Sequence, residues 1–286
     1  MTQRREFLKT VLLFGLIAAC NPSALFAPRA IRVPRSFFGH MVPGYIVAAD
    51  GGSPIDISIG TLRMWDGPTW EFIDEQGPST NWSGFDGFLT LAERLNAEPL
   101  FVFGRPPVYQ RIAGTGSPTP EAWESFIDRV LDRGAGRIKL FETWNEPATE
   151  GPCPEEMMEL ARILRARVPN ALLLTPSFNE LTTYGAAFAD EYLRLGGARY
   201  ADVIAFHSYS ADVTADIRVL RSLMAKHKVD LPLWNTETVG IASLEQQARE
   251  GVERVVLNAQ IRGNEDWNSS TPLGLEYQTT YNRMVA

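Results

Sequence analysis

Ile138-Lys139-Leu140-Phe141-Glu142-Thr143-Trp144-Asn145-Glu146-Pro147 begins as an apolar run and ends in a polar and aromatic cluster. The run Ile138–Trp144 reads as a β-strand. Pro147 has no backbone N–H and cannot continue a strand ladder, so Asn145 and Glu146 stand at the strand's C-terminal end. The chain then changes period. Pro154 suits a first helical turn, where its missing N–H would be unpaired anyway, and an amphipathic stretch runs to Arg167 before Val168-Pro169-Asn170 stops it. Leu172-Leu173-Leu174 follows, an apolar run of the kind found in parallel strands covered on both faces.

The same alternation extends in both directions. Strands are predicted at Phe37–Val42, Thr61–Trp65, Pro99–Gly104, Ile138–Trp144, Leu172–Pro176, Val203–His207, Leu231–Asn235 and Arg254–Ala259. Helices are predicted at Phe85–Asn96, Pro120–Asp132, Pro154–Arg167, Ala186–Leu195, Asp212–His227 and Leu244–Gly251, with Leu275–Met284 as a short closing helix. Eight strands alternating with helices over about 250 residues predict an α/β (β/α)8 TIM barrel as a single domain, residues 36–286. Only Ile55–Ile59 offers structure between the first two strands, so the first helix is expected to be reduced. A doubly wound open sheet is the alternative. It would carry an early glycine-rich phosphate loop, and Gly114-Thr115-Gly116 neither follows a strand nor has the third glycine.

Composition narrows the function classes. The chain has 286 residues, is 45% hydrophobic and 21% charged, and so is neither disordered nor a coiled coil. Its 27 Lys+Arg against 34 Asp+Glu give −7, with no basic footprint for nucleic acid. Two cysteines, Cys20 and Cys153, exclude a disulfide scaffold, and three histidines argue against a multi-histidine metal centre. No metal and no cofactor are expected.

The N-terminus reads as an address. Arg4 and Arg5 precede a nine-residue apolar run, Val11–Ala19, too short to cross a bilayer core of about 30 Å. Gln3-Arg4-Arg5-Glu6-Phe7-Leu8-Lys9 resembles a twin-arginine export signal, and Ile17-Ala18-Ala19-Cys20 resembles a lipobox. The expectation is a signal peptide at 1–19, lipidation of Cys20, and a proline-containing tether at 20–35 that holds an exported protein to a membrane of the cell envelope. Cleavage after Ala27 is the alternative.

A second strand end repeats the first. Trp234-Asn235-Thr236-Glu237-Thr238 follows Leu231-Pro232-Leu233 and places Glu237 at the end of the seventh strand. Strand ends three units apart can face each other across a barrel mouth. With Trp-Asn-Glu-Pro on strand four and Thr-Glu on strand seven, the sequence resembles the clan A retaining glycoside hydrolases, nearest to their family 39-like branch. The resemblance extends to Phe38-Gly39-His40, Leu62-Arg63-Met64-Trp65 and Ala205-Phe206-His207-Ser208-Tyr209. It implies that Glu146 is the acid/base and Glu237 the nucleophile, with Arg63, His207 and Tyr209 supporting the nucleophile. Asn145 would bond the sugar 2-OH, and His40 and Trp65 would contact substrate. The clan's strand-eight tryptophan is replaced by Val256-Leu257-Asn258-Ala259.

The chemistry needs such a pair on its own terms. Cleaving a glycosidic bond takes one protonated carboxyl for the leaving oxygen and one ionised carboxylate for the oxocarbenium-like centre. The expected partner is a polysaccharide or oligosaccharide, and the protein is expected to be a monomer. Two rivals remain. One is a carbohydrate-binding barrel that has lost its chemistry. The other is a metal-dependent hydrolase built on His40 and His207. Trp70, Trp82 and Tyr109 are further stacking candidates, whereas His227, Asp74 and Glu75 read as solvated surface.

Overall fold

The computed structural model describes residues 31–41, 57–149, 151–210, 212–258 and 271–285. Residues Val33–Ala286 form one compact unit. Its strands are β1 (Phe38–Met41), β2 (Thr61–Met64), β3 (Glu98–Val102), β4 (Leu140–Glu142), β5 (Leu172–Leu174), β6 (Ile204–Ser208), β7 (Leu233–Thr238) and β8 (Val252–Asn258). All are parallel, in the order β5-β4-β3-β2-β1-β8-β7-β6. The two end strands meet through bridges Leu174–Val203 and Phe178–Phe206, so the sheet closes into a (β/α)8 barrel.

That seam is irregular for a local reason. Pro176 has no N–H to give, and β5 stops at Leu174 rather than at the predicted Pro176. The Thr175 hydroxyl oxygen instead accepts from the Ala205 N–H at 2.9 Å, and Phe178 N–H resumes the pairing to the Ala205 carbonyl at 3.1 Å.

The helices are α1 (Trp70–Ile73), α2 (Ser83–Leu95), α3 (Pro120–Gly134), α4 (Pro154–Arg167), α5 (Gly185–Arg194), α6 (Val213–Lys226), α7 (Leu244–Arg249) and α8 (Pro272–Met284). Sequence signals mark several of their starts. Thr119 accepts from Ala122 N–H at 3.2 Å ahead of Pro120, Asp212 accepts from Ala215 N–H at 3.2 Å, and Thr271 accepts from Gly274 N–H at 3.1 Å. The last cap starts α8 at Pro272 instead of Leu275. No helix among the described residues is long and apolar enough to cross a membrane. The predicted signal, Cys20 and most of the tether lie outside the described residues; of the Ile55–Ile59 stretch, residues 57–59 are described and are not helical.

Period-two alternation sorts the strand residues into two layers. Leu100, Leu140, Leu174, Val203, Ala205 and Trp234 meet inside the barrel. Gly39 is an inward residue of β1, and a Cβ there would lie 2.7 Å from Val256 Cγ2. Below them Arg254 closes the floor, its guanidinium 3.9 Å from the Trp234 ring centroid, bonded to Thr61 Oγ1 at 2.6 Å and Glu98 at 3.0 Å. Outward residues Phe101 and Phe103 pack on Phe85 of α2 and on Trp123 and Phe126 of α3. Trp70 stacks flat on Phe126 at 4.4 Å, which makes it core rather than a sugar platform.

Two surface readings change. Asp74 is fully buried, chelated by Arg129 at 2.6 and 2.7 Å and bonded to Trp70 Nε1 at 2.7 Å, so it pins the loop after α1. His227 is half-buried against Asp190 at 2.6 Å.

Candidate active site

Arg63 organises the barrel mouth. It points inward from β2, is fully buried, and contacts three acidic or amide side chains from two other strands. Nη1 donates to Glu237 Oε2 at 2.7 Å. Nη2 donates to Glu142 Oε1 at 2.7 Å and to Asn145 Oδ1 at 2.6 Å, and Nε reaches Glu142 Oε2 at 3.3 Å. Burial opposes a charge here, but Glu142 and Glu237 more than offset it and hold the guanidinium above its ordinary range. By taking the Asn145 oxygen, Arg63 also fixes the amide so that its NH2 group is the free end.

Glu237 reaches this network through a bulge. Trp234 faces inward and Asn235 outward against Gln247 of α7, so simple alternation would turn Glu237 outward. The register shifts instead, pairing Phe206 with Asn235 and His207 with Glu237, and skipping Thr236. The extra residue turns Glu237 back into the mouth. Glu237 therefore lies within β7, which runs on to Thr238 instead of ending at Asn235. Its second oxygen accepts from the Tyr209 hydroxyl and from Asn258 Nδ2, the latter at 2.6 Å. Burial alone would raise the Glu237 carboxyl. His207, Arg63 and the two hydrogen bonds bring it below its ordinary value. Tyr209 is pushed the other way, by burial and by the Glu237 and Glu146 charges, and stays a neutral donor.

Glu146 is placed differently. It follows β4 in a left-handed conformation, φ +48°, with its N–H donated to Ser177 Oγ at 3.2 Å. Among the described residues its carboxylate meets one side chain, His207, with Nδ1 2.7 Å from Oε1. The same nitrogen is 3.9 Å from Glu237 Oε2, so those two oxygens are no farther apart than the sum of the two lengths. One carboxyl is thus multiply bonded and buried, the other more open and held by a histidine.

The structure brings together Glu146, Glu237, Arg63, Asn145, His207 and Tyr209. It leaves His40 out. His40 is buried on the outward face of β1 beside Tyr277 of α8, ring centroids 6.0 Å apart, and burial pushes its pKa down to about 4. His40 and His207 therefore face opposite sides of the barrel wall and cannot share a metal ion. Trp65 stands at the mouth but is 7% exposed, its ring contacted by Arg63 at 5.9 Å and Arg105 at 5.4 Å. Two site residues were not predicted. Glu142 sits four positions before Glu146 on an apolar strand, and that burial of a charge is a signal in itself. Asn258 stood in the sequence only as a missing tryptophan.

No known family model matches the sequence, and no curated protein matches it. Solved structures do. The xylanase XynB from Paenibacillus barcinonensis superposes with a TM-score of 0.59 at 12% identity, covering 91% of this chain and 99% of that one. A family 30 endoxylanase from Clostridium papyrosolvens gives 0.52 at 15% identity, covering 80% of this chain and 66% of that one. AbfB, a family 51 α-L-arabinofuranosidase from Bifidobacterium longum, gives 0.57 at 12% identity, over 82% and 68%. These neighbours are clan A glycoside hydrolases, and this chain has their barrel fold.

Proposed function

We propose that the protein is a retaining glycosidase that hydrolyses O-glycosidic bonds of a polysaccharide or oligosaccharide by double displacement. The observation that carries the reading is the pair of unlike carboxylates around His207. Glu237 is kept ionised by Arg63, Tyr209 and Asn258, as a nucleophile must be. Glu146, more open and held by His207, is placed to pass a proton to the leaving oxygen. The shared nitrogen holds one oxygen of each carboxyl close enough to suit the roughly 5–5.5 Å separation of retaining enzymes.

In the first step Glu237 attacks the anomeric carbon while Glu146 protonates the departing oxygen. The C–O bond breaks and a glycosyl ester forms. In the second step Glu146 takes a proton from water, and that water displaces Glu237. The free NH2 of Asn145 is placed to bond the sugar 2-OH. The family 39-like kinship, the twin-arginine export, the Cys20 lipid anchor and a role in envelope or exopolysaccharide processing belong to this same proposal. They rest on the sequence signals at 3–9 and 17–20 and on the strand-end motifs.

The deciding experiment is azide rescue. Glu237→Gly removes the nucleophile, and azide should attack an activated aryl glycoside directly and give an adduct of inverted configuration. Glu146→Gly with azide should give the retained adduct, since the covalent intermediate still forms. NMR of the adducts reads both. Reversed configurations would exchange the two roles, and inversion by the unsubstituted enzyme would end the retaining mechanism. A second reading, a sugar-binding barrel without turnover, is favoured by Asn258 standing where the clan carries an aromatic floor. It predicts no product from any polysaccharide and unchanged binding in Glu146→Gln.

A further inference from the structure

At the ends of β3 and β4 a cleft of about 530 Å³ is lined by Glu71, Arg105, Arg111, Trp144 and the backbone at Gly116 and Gly151. Two guanidinium groups and one carboxylate give it a positive balance in a chain whose net charge is −7. Neither arginine takes part in the network around Glu237.

The lining is built rather than loose. Gly104 at φ +129° and Arg105 at φ +47° are consecutive residues of positive φ at the end of β3. Gly104 packs on Trp144, where a Cβ would lie 3.2 Å from the ring, and only glycine adopts its conformation without cost. The turn carries the Arg105 side chain over Trp65, the indole whose ring also contacts Arg63. Glu71 reaches Arg105 at 3.5 Å, a long and half-exposed pairing. Arg111 is pinned by its Nε, which donates to the Pro106 carbonyl at 2.7 Å. Among the described residues no carboxylate pairs with its two terminal nitrogens. Asp66 is a second acid in the electrostatic reach of Arg105, and burial pushes its carboxyl up.

We propose that this cleft is a subsite for the carboxylate of a uronic acid residue, placed next to the sugar that is cleaved. The proposal rests on the glycosidase reading for the ligand being a glycan. The planar forks of Arg105 and Arg111 match a carboxylate, and the Arg105 guanidinium is already placed over Trp65, which limits the freedom lost on binding. Neutral pyranose hydroxyls would gain far less from two cations. Trp65, expected to stack on sugar, serves on this view as the shelf for Arg105.

The test is binding by the full chain carrying Glu146→Gln, to prevent cleavage. The probes are tetramers of galacturonate, glucuronate, mannuronate and guluronate, each beside its carboxyl-reduced counterpart. At least one charged tetramer should bind about tenfold or more tightly than its reduced form, as charge-assisted hydrogen bonds allow. That difference should collapse in Arg105→Gln/Arg111→Gln and widen in Glu71→Gln, where Arg105 loses its competitor. Both arginines are exposed, and circular dichroism should show the variants folded. No preference for any charged tetramer, or a preference that survives the double substitution, overturns the proposal. Binding is read without turnover. An inactive chain that still selects uronates would sink the glycosidase reading alone, and an active one without selection would sink this subsite alone.

Discussion

Asn258 and His40 show how much one side chain's direction decides. Asn258 Nδ2 donates to Glu237 Oε1 and so favours the ionised carboxylate. Activity that needs this carboxylate exists above its pKa and is lost as pH falls through it. Asn258→Ala should raise that pKa and move the acid limb of kcat/KM to higher pH, while an unmoved limb would deny Asn258 this role. His40 acts on stability instead. Its folded pKa of about 4 lies below the ordinary 6.5, so as pH falls the unfolded chain takes a proton first. The native state should therefore lose up to about 1.4 kcal/mol per pH unit between those values, with the full stability present above 6.5. Urea unfolding at pH 7 and pH 5 should show a flatter dependence in His40→Gln, and equal slopes would show that His40 does not titrate this way. Glu142 is a third case. Removing one partner of a buried pair costs about 3–5 kcal/mol, and Glu142→Gln should approach the low end because Arg63 keeps Glu237. Thermal unfolding measures it.

At the scale of elements, helices were the more legible in sequence, because prolines, caps and αL residues are local. Pro120, Pro154 and Gly196 mark boundaries where the structure places them, and Ala135, in an αL conformation, ends α3. Thr119→Ala should cost about 1 kcal/mol through the lost α3 cap, readable as a lower Tm. Strand interiors were less legible. Nothing local in Leu231–Thr238 announces a bulge at Thr236, since the bulge exists only in the pairing with β6 and β8. Deleting Thr236 should restore simple alternation and turn Glu237 out of the mouth. The expected outcome is a folded barrel without turnover. Retained activity would show that the bulge does not set the direction of Glu237.

For the whole molecule, eight alternating units were enough to predict the barrel, whereas the partners inside it were not predictable. Arg63 binds groups 79 and 174 residues away along the chain, and Glu142 has meaning only beside it. The seam between β5 and β6 is a further product of assembly. It depends on two isolated bridges and the Thr175 hydroxyl, where every other pair of neighbours shares a ladder, bulged only along β7. Hydrogen exchange should therefore open there first. The amides of Phe178 and Ala205 are expected to exchange faster than those of β1 and β8. Equal protection around the barrel would show that the seam is as strong as the rest.

The left-handed backbone at Glu146 implies a conflict between durability and activity. A residue with a side chain held at φ +48° costs on the order of 1–2 kcal/mol that glycine would not. The fold bears that cost at the one residue to which the proton transfer is assigned. Glu146→Ala and Glu146→Gly both delete the carboxylate and leave His207 the same loss, so their difference isolates the backbone. The glycine form should melt higher than the alanine form, by about 2 °C if the lower figure holds. A lineage that had already lost this carboxylate would gain heat tolerance by a further change to glycine here, and thermal selection among such chains should find that change repeatedly.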